Sequence, residues 1–399
     1  MRRILIFAPS YLRTRFFYRV KKALGENYQI EFATLRPSST FFLRKKGEAI
    51  HHLPSLFPSG SAPLPPELEE RKEEVIEMDQ KIGLIPPSQL KRGYRLIGRA
   101  LLHLLISRHW DYIFIFNGYG HFIEATARVV AQFTGVRLLF FEIGNFPNRI
   151  FVDTEGVNFA SSLTHRDLGT CSNFSPVKFF QFKEKHLKQK ETHHTPPQAR
   201  VTLPRWVKFL DYSRLWDPPI GQVIGRKVEK LFKRRKIFPI SSDLPKGDFL
   251  FFPLQLPFDS QILKFSAISF WEGIERGVTR GKELGLPVYF KPHPADPTFP
   301  RWGWRVVEMG GKLTTANSYQ LLKRCQYVVT INSTMGLESF FYHKPLEVLG
   351  ESWYKRYSSA PPPIKDKVLF NYLFNILVEG DYFDESSKID GKKIEKMLK

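Results

Sequence analysis

The feature that most constrains the fold is an alternation of short apolar segments with amphipathic segments, which occurs in two blocks along the chain. Segments of this kind predict strands and helices, respectively. Predicted strands lie at 4–8, 29–35, 112–116 and 137–141 in the first block, and at 248–252, 287–291, 306–309, 327–330 and 345–349 in the second. Strands that alternate with helices form parallel sheets. The pattern therefore predicts an α/β protein with two domains, since 399 residues exceed what one core usually holds.

The two blocks divide the chain into four predicted regions. An N-terminal Rossmann-like domain covers residues 1–158, with an insertion at about 36–87 that interrupts the alternation. A basic, aromatic and helical connector covers 159–246, a second Rossmann-like domain covers 247–352, and a helical tail covers 353–399. Two such domains are expected to leave a cleft between the carboxyl ends of their strands, where ligands of α/β sheets usually bind.

Charge and composition narrow the classes of function. The chain has 60 Lys and Arg against 39 Asp and Glu, a formal net charge of +21, and 15% aromatic residues. Such a chain attracts polyanions, which include nucleic acid, anionic lipid surfaces and acidic sugars or phosphates. Two cysteines exclude a disulfide scaffold and a cysteine-rich zinc site. The first residues turn polar too soon for a signal peptide, and no apolar stretch is long enough for a membrane-spanning helix.

Three polar loops follow predicted strands of the second domain. The candidate residues are Gln255, Asp259 and Ser260 in the first loop, Lys291 and His293 in the second, and Ser333, Thr334 and Glu338 in the third. A histidine between two prolines suits a hydrogen bond to a leaving phosphate, and hydroxyl groups before a helix suit an anion. Together the loops predict a nucleotide-phosphate pocket. Each loop alone also fits an ordinary turn or helix cap, and neither a Walker lysine motif nor a Gly-x-Gly-x-x-Gly fingerprint is present.

The first domain supplies a candidate catalytic carboxylate. Glu142 follows an apolar strand and is expected at the lip of the cleft, where it could act as a nucleophile or a general base. An ion pair with Arg149 or a helix cap is the structural alternative. Asn117, Arg149, Asp153 and Asn158 are candidates for the acceptor or sugar side, although Asn117 also fits a plain turn. No compact cluster of metal-ligating residues occurs, so we expect catalysis without a metal.

The order of these motifs resembles that of a known family. The motifs are Glu-x-Gly-x-x-Pro at 142–147, Asp-x-x-Gly-Val-Asn at 153–158, Gln-x-x-x-Asp-Ser at 255–260, Lys-Pro-His-Pro at 291–294 and Asn-Ser-Thr-x-Gly-x-Glu at 332–338. This set resembles bacterial capsule polysaccharide biosynthesis proteins, and among them the transferases of 3-deoxy-D-manno-octulosonic acid (Kdo). The resemblance runs from about Arg3 to Trp353 and is weakest in the insertion and in the middle region.

The resemblance implies a fold, a reaction and roles for residues. It implies a GT-B glycosyltransferase that uses CMP-Kdo as donor, a glycolipid or polysaccharide as acceptor, and no metal or other cofactor. Glu142 would be the catalytic carboxylate, and retention of the anomeric configuration is favoured. His293 and the Ser333–Thr334 turn would hold the CMP phosphate, and Gln255 and Asp259 would lie near the nucleotide.

Two alternatives and a location remain to be tested. His-Pro motifs also occur in CMP-sialic acid transferases of GT-B type, so a CMP-sialyltransferase is the first alternative. A non-enzymatic protein that binds nucleic acid or polysaccharide is the second alternative, but no nucleic-acid-binding module is recognisable. The basic runs Lys183–Lys190 and Arg226–Lys236 and the aromatic stretch Trp206–Trp216 predict a peripheral protein on the inner face of the cytoplasmic membrane. A solvated helical connector is the competing interpretation of the same residues.

Overall fold

A computed structural model describes residues 1–57, 63–192, 204–221, 237–296 and 298–399. These residues form two compact units. The first unit contains residues 1–57, 63–162, 204–221 and 377–399, and the second contains residues 163–192, 237–296 and 298–376. Each unit is built around its own sheet.

The strands, in chain order, are β1 (Arg2–Ala8), β2 (Tyr28–Thr34), β3 (Ile50–His52), β4 (Tyr112–Phe116), β5 (Arg137–Ile143), β6 (Arg149–Asp153), β7 (Leu250–Pro253), β8 (Val288–Lys291), β9 (Lys312–Leu313), β10 (Tyr327–Thr330), β11 (Leu346–Val348) and β12 (Val378–Glu379). The helices are α1 (Tyr11–Leu24), α2 (Pro37–Lys45), α3 (Pro66–Glu70), α4 (Lys72–Ile82), α5 (Pro87–Ile106), α6 (Phe122–Thr134), α7 (Pro176–Thr192), α8 (Arg205–Leu210), α9 (Ser260–Phe265), α10 (Phe270–Glu283), α11 (Phe299–Glu308), α12 (Ser318–Arg324), α13 (Thr334–Glu338), α14 (Pro362–Phe370) and α15 (Gly391–Glu395). Short 3₁₀ turns lie at Gly25–Asn27, Leu53–Leu56, Asn158–Ala160, Ser162–Thr164, Ser339–Tyr342, Lys355–Tyr357 and Lys396–Leu398, and a π-helical turn lies at Asn371–Ile376.

The five parallel strands β1 to β5 of the first sheet and the five strands of the second sheet have the same order. The first unit has the order β12-β6-β5-β4-β1-β2-β3, in which β1 to β5 are parallel, β6 is antiparallel to β5, and β12 is antiparallel to β6 and so runs in the direction of β1 to β5. The second unit has the order β11-β10-β7-β8-β9, and all five strands are parallel. In each unit the first strand is central and the order reverses beside it, between β1 and β4 or between β7 and β10. The prediction of an α/β chain with two Rossmann-like domains is thereby confirmed.

Each sheet is covered by helices with apolar faces. In the first unit, Phe17, Val20 and Leu24 of α1 are buried against the sheet, as their helical spacing predicts. In the second unit, α10 carries glycines at 273, 277 and 281. A Cβ added at Gly277 would lie 2.5 Å from Cδ2 of Phe252, so the helix backbone rests directly on the sheet. This glycine stripe was not recognised from the sequence.

One predicted strand is wrong, and the insertion is more regular than predicted. Residues 306–309, predicted as a strand, belong mainly to α11, because Phe299, Trp302 and Val306 recur at helical spacing and pack into the core. The strand follows the turn instead, as β9. In the insertion at 36–87, β3 pairs in parallel with β2 and extends the sheet.

The two units divide the chain differently from the four predicted regions. Within the predicted connector, α7 belongs to the second unit and α8 to the first. The predicted tail divides after Ile376, because β12 pairs with β6 through Val378 and Ile150 and so completes the first sheet. The basic run Arg226–Lys236 lies outside the described residues. Among the residues that are described, none of the helices has both the length and the apolar character needed to cross a bilayer.

Candidate functional site

Two loops of the second unit meet where its strand order reverses. Gln255 follows β7 and Asn332 follows β10. Nε2 of Gln255 donates to Oδ1 of Asn332 at 3.0 Å, and the Asn332 backbone N–H donates to Oε1 of Gln255 at 3.2 Å. Both residues are buried. This reciprocal pair fixes the two loops against each other at the position where α/β sheets usually bind ligands.

Asn332 also ties this pair to the surrounding backbone. Its Nδ2 donates to the carbonyl of Gln261 at 2.8 Å, and the carbonyls of Phe265 and Glu351 lie at 3.3 Å. The sequence motif contained Asn332, but we had not assigned it a role. Gln255, predicted to contact the nucleotide, is a positioning residue in the structure, because both ends of its amide are used by the protein.

Asp259 of the first loop lies near enough to His293 of the second loop for their charges to interact. Oδ1 of Asp259 accepts the Gln261 N–H at 2.9 Å and so caps α9, which begins at Ser260. Burial raises the pKa of Asp259, against the opposing effects of hydrogen bonds from Gln261 and Gln255 and of the nearby His293. The first and second loops therefore lie near each other within the unit.

The imidazole of His293 is arranged as a hydrogen-bond donor. Its Nδ1 accepts the Ala295 N–H at 3.2 Å, so the ring proton of the neutral form lies on Nε2. Burial lowers the pKa of His293, although Asp259 and Asp296 act in the opposite direction. A neutral imidazole that presents Nε2–H can donate to a phosphate oxygen.

Lys291 has a mainly structural position. Its Nζ donates to the carbonyls of Thr315 at 3.0 Å and Ala316 at 2.5 Å. Burial lowers the pKa of Lys291 to about 8. We predicted Lys291 as a source of positive charge for phosphate, but the structure commits two of its three N–H groups to the loop after β9.

The third loop combines a helix cap with an exposed hydroxyl. Oγ of Ser333 accepts the Met335 N–H at 3.2 Å, and the Ser333 carbonyl accepts the hydroxyl of Tyr354. Ser333 is thus the N-cap of α13, which is the ordinary role that the sequence analysis gave as the alternative to phosphate binding. Thr334 is the first residue of this helix and is exposed.

Glu338 lies inside the second unit rather than on its surface. Its buried carboxylate accepts the hydroxyl of Tyr319, and Nε2 of His186 lies 3.7 Å away. Burial alone would raise the pKa of Glu338, but the nearby His186, the charge of Lys190 and the hydrogen bond from Tyr319 hold it below its ordinary value. The carboxylate predicted to bind nucleotide is therefore engaged by an internal network.

In the first unit, Asn117 holds Glu142. Asn117 follows β4, and its Nδ2 donates to Oε2 of Glu142 at 2.5 Å. Its Oδ1 accepts the backbone N–H groups of Tyr119 and Gly120 at 2.9 and 2.8 Å, which fixes the orientation of the amide. Asn117 has a φ of 63°, a left-handed conformation that asparagine tolerates. It therefore links the turn after β4 to the carboxylate of β5.

Glu142 lies within a strand, whereas the sequence pattern predicts that the strand ends at Phe141. Strand β5 continues to Ile143, because β6 returns antiparallel to it and pairs Glu142 with Phe151. The hairpin requires Gly144, since a Cβ there would lie 2.5 Å from the Arg149 carbonyl oxygen. Arg149, the alternative partner of Glu142, forms an ion pair with Glu379 at 3.3 Å.

Asp153 and Asn158 shape the loop after β6. The buried carboxylate of Asp153 accepts the N–H groups of Glu155, Gly156 and Ser162 at 2.8, 3.2 and 3.2 Å and the Ser162 hydroxyl at 2.5 Å. Asn158 has a φ of 56°, and its carbonyl accepts the Ser161 hydroxyl at 2.6 Å. Sequence reasoning assigned Asp153 and Asn158 to the sugar side, whereas these contacts hold the loop.

Arg13 is a neighbour of Glu142 that sequence reasoning missed. Its guanidinium lies 3.7 Å from the centre of the Phe116 ring, donates to the Tyr382 hydroxyl at 2.8 Å and lies 3.7 Å from Glu124. Burial alone would lower the pKa of Arg13, but Tyr382, Glu124 and Glu142 raise it above its ordinary value. No local pattern marks this cluster, because Arg13 and Tyr382 are 369 residues apart.

The described residues hold no group of three or more His, Cys, Asp or Glu side chains placed to bind a metal ion.

Residues 114–357 match the family model of the capsule polysaccharide biosynthesis protein. The chain belongs to this family. The matched range contains all five motifs from which the family was predicted, and that prediction is confirmed. No curated protein sequence matches the chain.

Solved structures resemble the chain at low sequence identity. KpsC of Thermosulfurimonas dismutans, a β-Kdo 2,7 transferase, is 12% identical, with coverage of 99% of this chain and 98% of that chain and a TM-score of 0.41. The β-Kdo 2,4 transferase of the same organism is 13% identical, with 79% and 97% coverage and a TM-score of 0.43. UDP-GlcNAc 2-epimerase of Methanocaldococcus jannaschii is 11% identical, with 100% and 99% coverage and a TM-score of 0.34.

Proposed function

We propose that the protein is a glycosyltransferase of capsule or surface polysaccharide biosynthesis that transfers Kdo from CMP-Kdo to a glycolipid or polysaccharide acceptor. The observation that carries this proposal is the joined set of loops at the strand reversal of the second unit. There, Gln255 and Asn332 fix the loops, and His293 presents Nε2–H beside Asp259. Family membership adds the biosynthetic context.

The second unit would bind the nucleotide end of the donor. His293 would donate Nε2–H to a phosphate oxygen of CMP, which stabilises the charge that develops on the phosphate as it leaves. The hydroxyl groups of Ser260, Ser333 and Thr334 would complete the phosphate contacts. Lys291 would contribute by its charge and by holding the loop after β9.

The first unit would supply the reacting carboxylate. In the retaining mechanism that we favour, an oxygen of Glu142 attacks the anomeric carbon, and the bond from that carbon to the phosphate oxygen breaks with its electron pair going to CMP. The acceptor hydroxyl then displaces Glu142 from the glycosyl-enzyme and loses its proton. Asn117 would orient the carboxylate through its Nδ2 donor. This chemistry needs no metal, and we expect full activity in excess EDTA.

Product analysis with defined substrates tests the proposed function. Purified protein is incubated with CMP-Kdo or CMP-sialic acid and short synthetic acceptors, including a lipid-linked one. Transfer of Kdo supports the proposal, transfer of sialic acid alone redirects it to the alternative donor, and nucleic-acid binding without any transfer refutes it. The variant His293→Ala should lose turnover or donor affinity by roughly 10- to 150-fold, as expected for one charged hydrogen bond. His165→Ala is the matched control, since His165 is exposed in the same unit.

We also propose that the protein binds the inner face of the cytoplasmic membrane without spanning it. The net charge of +21 favours anionic lipid. Trp206 and Phe209 of α8 are 47% and 83% exposed, whereas Trp216 is buried and serves the core. Flotation with anionic vesicles should be strong at low salt and fall as salt is added. Equal recovery with neutral vesicles, or no recovery with either, contradicts the proposed association.

A further inference from the structure

A buried carboxylate and an exposed histidine form a pair in the first unit. Asp79 of α4 is 5% exposed, and its Oδ1 lies 3.0 Å from Nδ1 of His121, the residue that precedes α6. The second oxygen of Asp79 accepts the backbone N–H of Phe122 at 2.7 Å. The His121 side chain is 63% exposed. Asp79 therefore holds both the start of the helix and the imidazole.

These contacts fix the tautomer of His121. A carboxylate oxygen only accepts hydrogen bonds, so Nδ1 of His121 carries the proton that points to Asp79. Nε2 then has the free lone pair on the exposed ring, which is the arrangement of a general base oriented by a carboxylate. The hydrogen bond to Asp79 and the charge of that carboxylate raise the pKa of His121.

The pair belongs to the same turn that holds Glu142. His121 ends the turn that begins at Asn117, and Asn117 donates to Glu142 at 2.5 Å. Both residues therefore lie at the carboxyl ends of adjacent parallel strands, β4 and β5. The charge of Arg13 acts on both Glu142 and His121.

The charged groups that face His121 come from three elements. Asp79 on α4 and Glu124 on α6 stabilise the imidazolium, and Arg13 on α1 destabilises it. A base in this position can accept a proton and have the new charge partly neutralised.

We propose that His121 is the general base that deprotonates the acceptor hydroxyl, and that Asp79 is its positioning residue. This inference rests on the proposed function. As the acceptor oxygen bonds to the anomeric carbon, the bond from that carbon to Glu142 breaks, and its electron pair returns to the carboxylate. The hydroxyl proton moves to Nε2 of His121, and water removes it afterwards.

Variants at position 121 separate the two steps of transfer. His121→Ala and His121→Gln should lower transfer to the acceptor by about 10²- to 10⁴-fold, the usual effect of losing a general base. Incubation with donor alone should still give the sugar adduct on Glu142, detected by intact-protein mass spectrometry. Azide needs no deprotonation, so it should restore turnover of the variants with a glycosyl azide as product.

His109→Ala is the matched control. His109 is 80% exposed and lies 3.5 Å from Asp111, but it precedes β4 at the opposite, amino end of the strand. It pairs a histidine with an aspartate as His121 does, and its loss should leave transfer at the wild-type rate. Equal transfer by His121→Ala and His109→Ala overturns the assignment of His121.

The pH profile tests the role of Asp79. A general base works when deprotonated, so transfer should fall as the pH falls through the pKa of His121. Asp79→Asn keeps an acceptor for Phe122 and removes the charge, and it should move this acid limb to lower pH. An unmoved limb refutes the positioning role. Absence of both transfer and adduct in the wild type refutes the proposed function itself, whereas wild-type transfer that survives His121→Gln refutes only this inference.

Discussion

Replacing Asn332 by alanine gives the sharpest test of how the second unit is held at its strand reversal. The substitution leaves the Nε2 hydrogen of the buried Gln255 and the partly buried carbonyl of Gln261 without their present partners. Each buried polar group left unpaired costs about 1–3 kcal/mol, so we expect a loss of about 2–6 kcal/mol in the free energy of unfolding. For a unit of this size that corresponds to a fall in Tm of at least about 4 °C.

A second variant separates lost hydrogen bonds from lost volume. Asn332→Asp keeps the shape of the side chain but places a carboxylate oxygen where Nδ2 now faces the carbonyl of Gln261. It should therefore destabilise the unit at least as much as alanine does. A mild effect of aspartate would show that volume, rather than polarity, accounts for the cost.

Differential scanning calorimetry with and without CMP provides the measurement. Gln326→Ala is the control, because Gln326 also loses an amide hydrogen bond, at 2.8 Å to Asp248, but on an exposed surface. Its effect should stay within about 0.5 kcal/mol. If Asn332→Ala has the same Tm as this control and is still stabilised by CMP, the hydrogen-bonded pair Gln255–Asn332 does not organise the site.

Three further outcomes follow from individual contacts. Glu142→Gln should abolish transfer and keep CMP-induced thermal stabilisation; substantial turnover would remove Glu142 from the mechanism. Gly277→Ala places a Cβ 2.5 Å from Phe252 and should cost about 1–3 kcal/mol in urea unfolding. Gly221→Ala, whose Cβ would meet no atom of the described residues within 4 Å, should cost far less. Burial lowers the pKa of Lys291 from 10.5 to about 8, so the unfolded chain binds more protons between these values and stability should rise with pH across that window. Lys291→Met should flatten that rise in urea unfolding measured from pH 7 to 10, and an unchanged slope would contradict it.

Local sequence patterns predicted the strands, the helices and the helix caps. Asp259 and Ser333 cap helices through N–H groups two residues away, so their side-chain roles follow from neighbouring sequence. The strand predicted at 306–309 was wrong because a short apolar run fits a buried helix as well as a strand. The prediction of a two-domain α/β fold was still correct, because it depends on the alternation of many segments and not on any single one.

Roles that depend on distant contacts were less predictable. Glu142 became the candidate catalytic carboxylate because a carboxylate beside a glycine turn stands out in the sequence. Asp153 and Glu338 stood out equally, yet the fold surrounds Asp153 with the N–H groups of its own loop and Glu338 with Tyr319 and His186. An acidic residue at a strand end looks the same in sequence whether its partners are inside or outside the protein.

The sequence by itself determined the alternation of strands and helices, the family and the turns that carry polar side chains, because these depend on spacing over a few residues. Only the tertiary structure decided which side chains meet. Asn117 reaches Glu142 across 25 residues, Asp79 reaches His121 across 42, and Gln255 reaches Asn332 across 77. These contacts follow from the order of parallel strands, which brings distant loops to one edge of a sheet and has no signature in local periodicity.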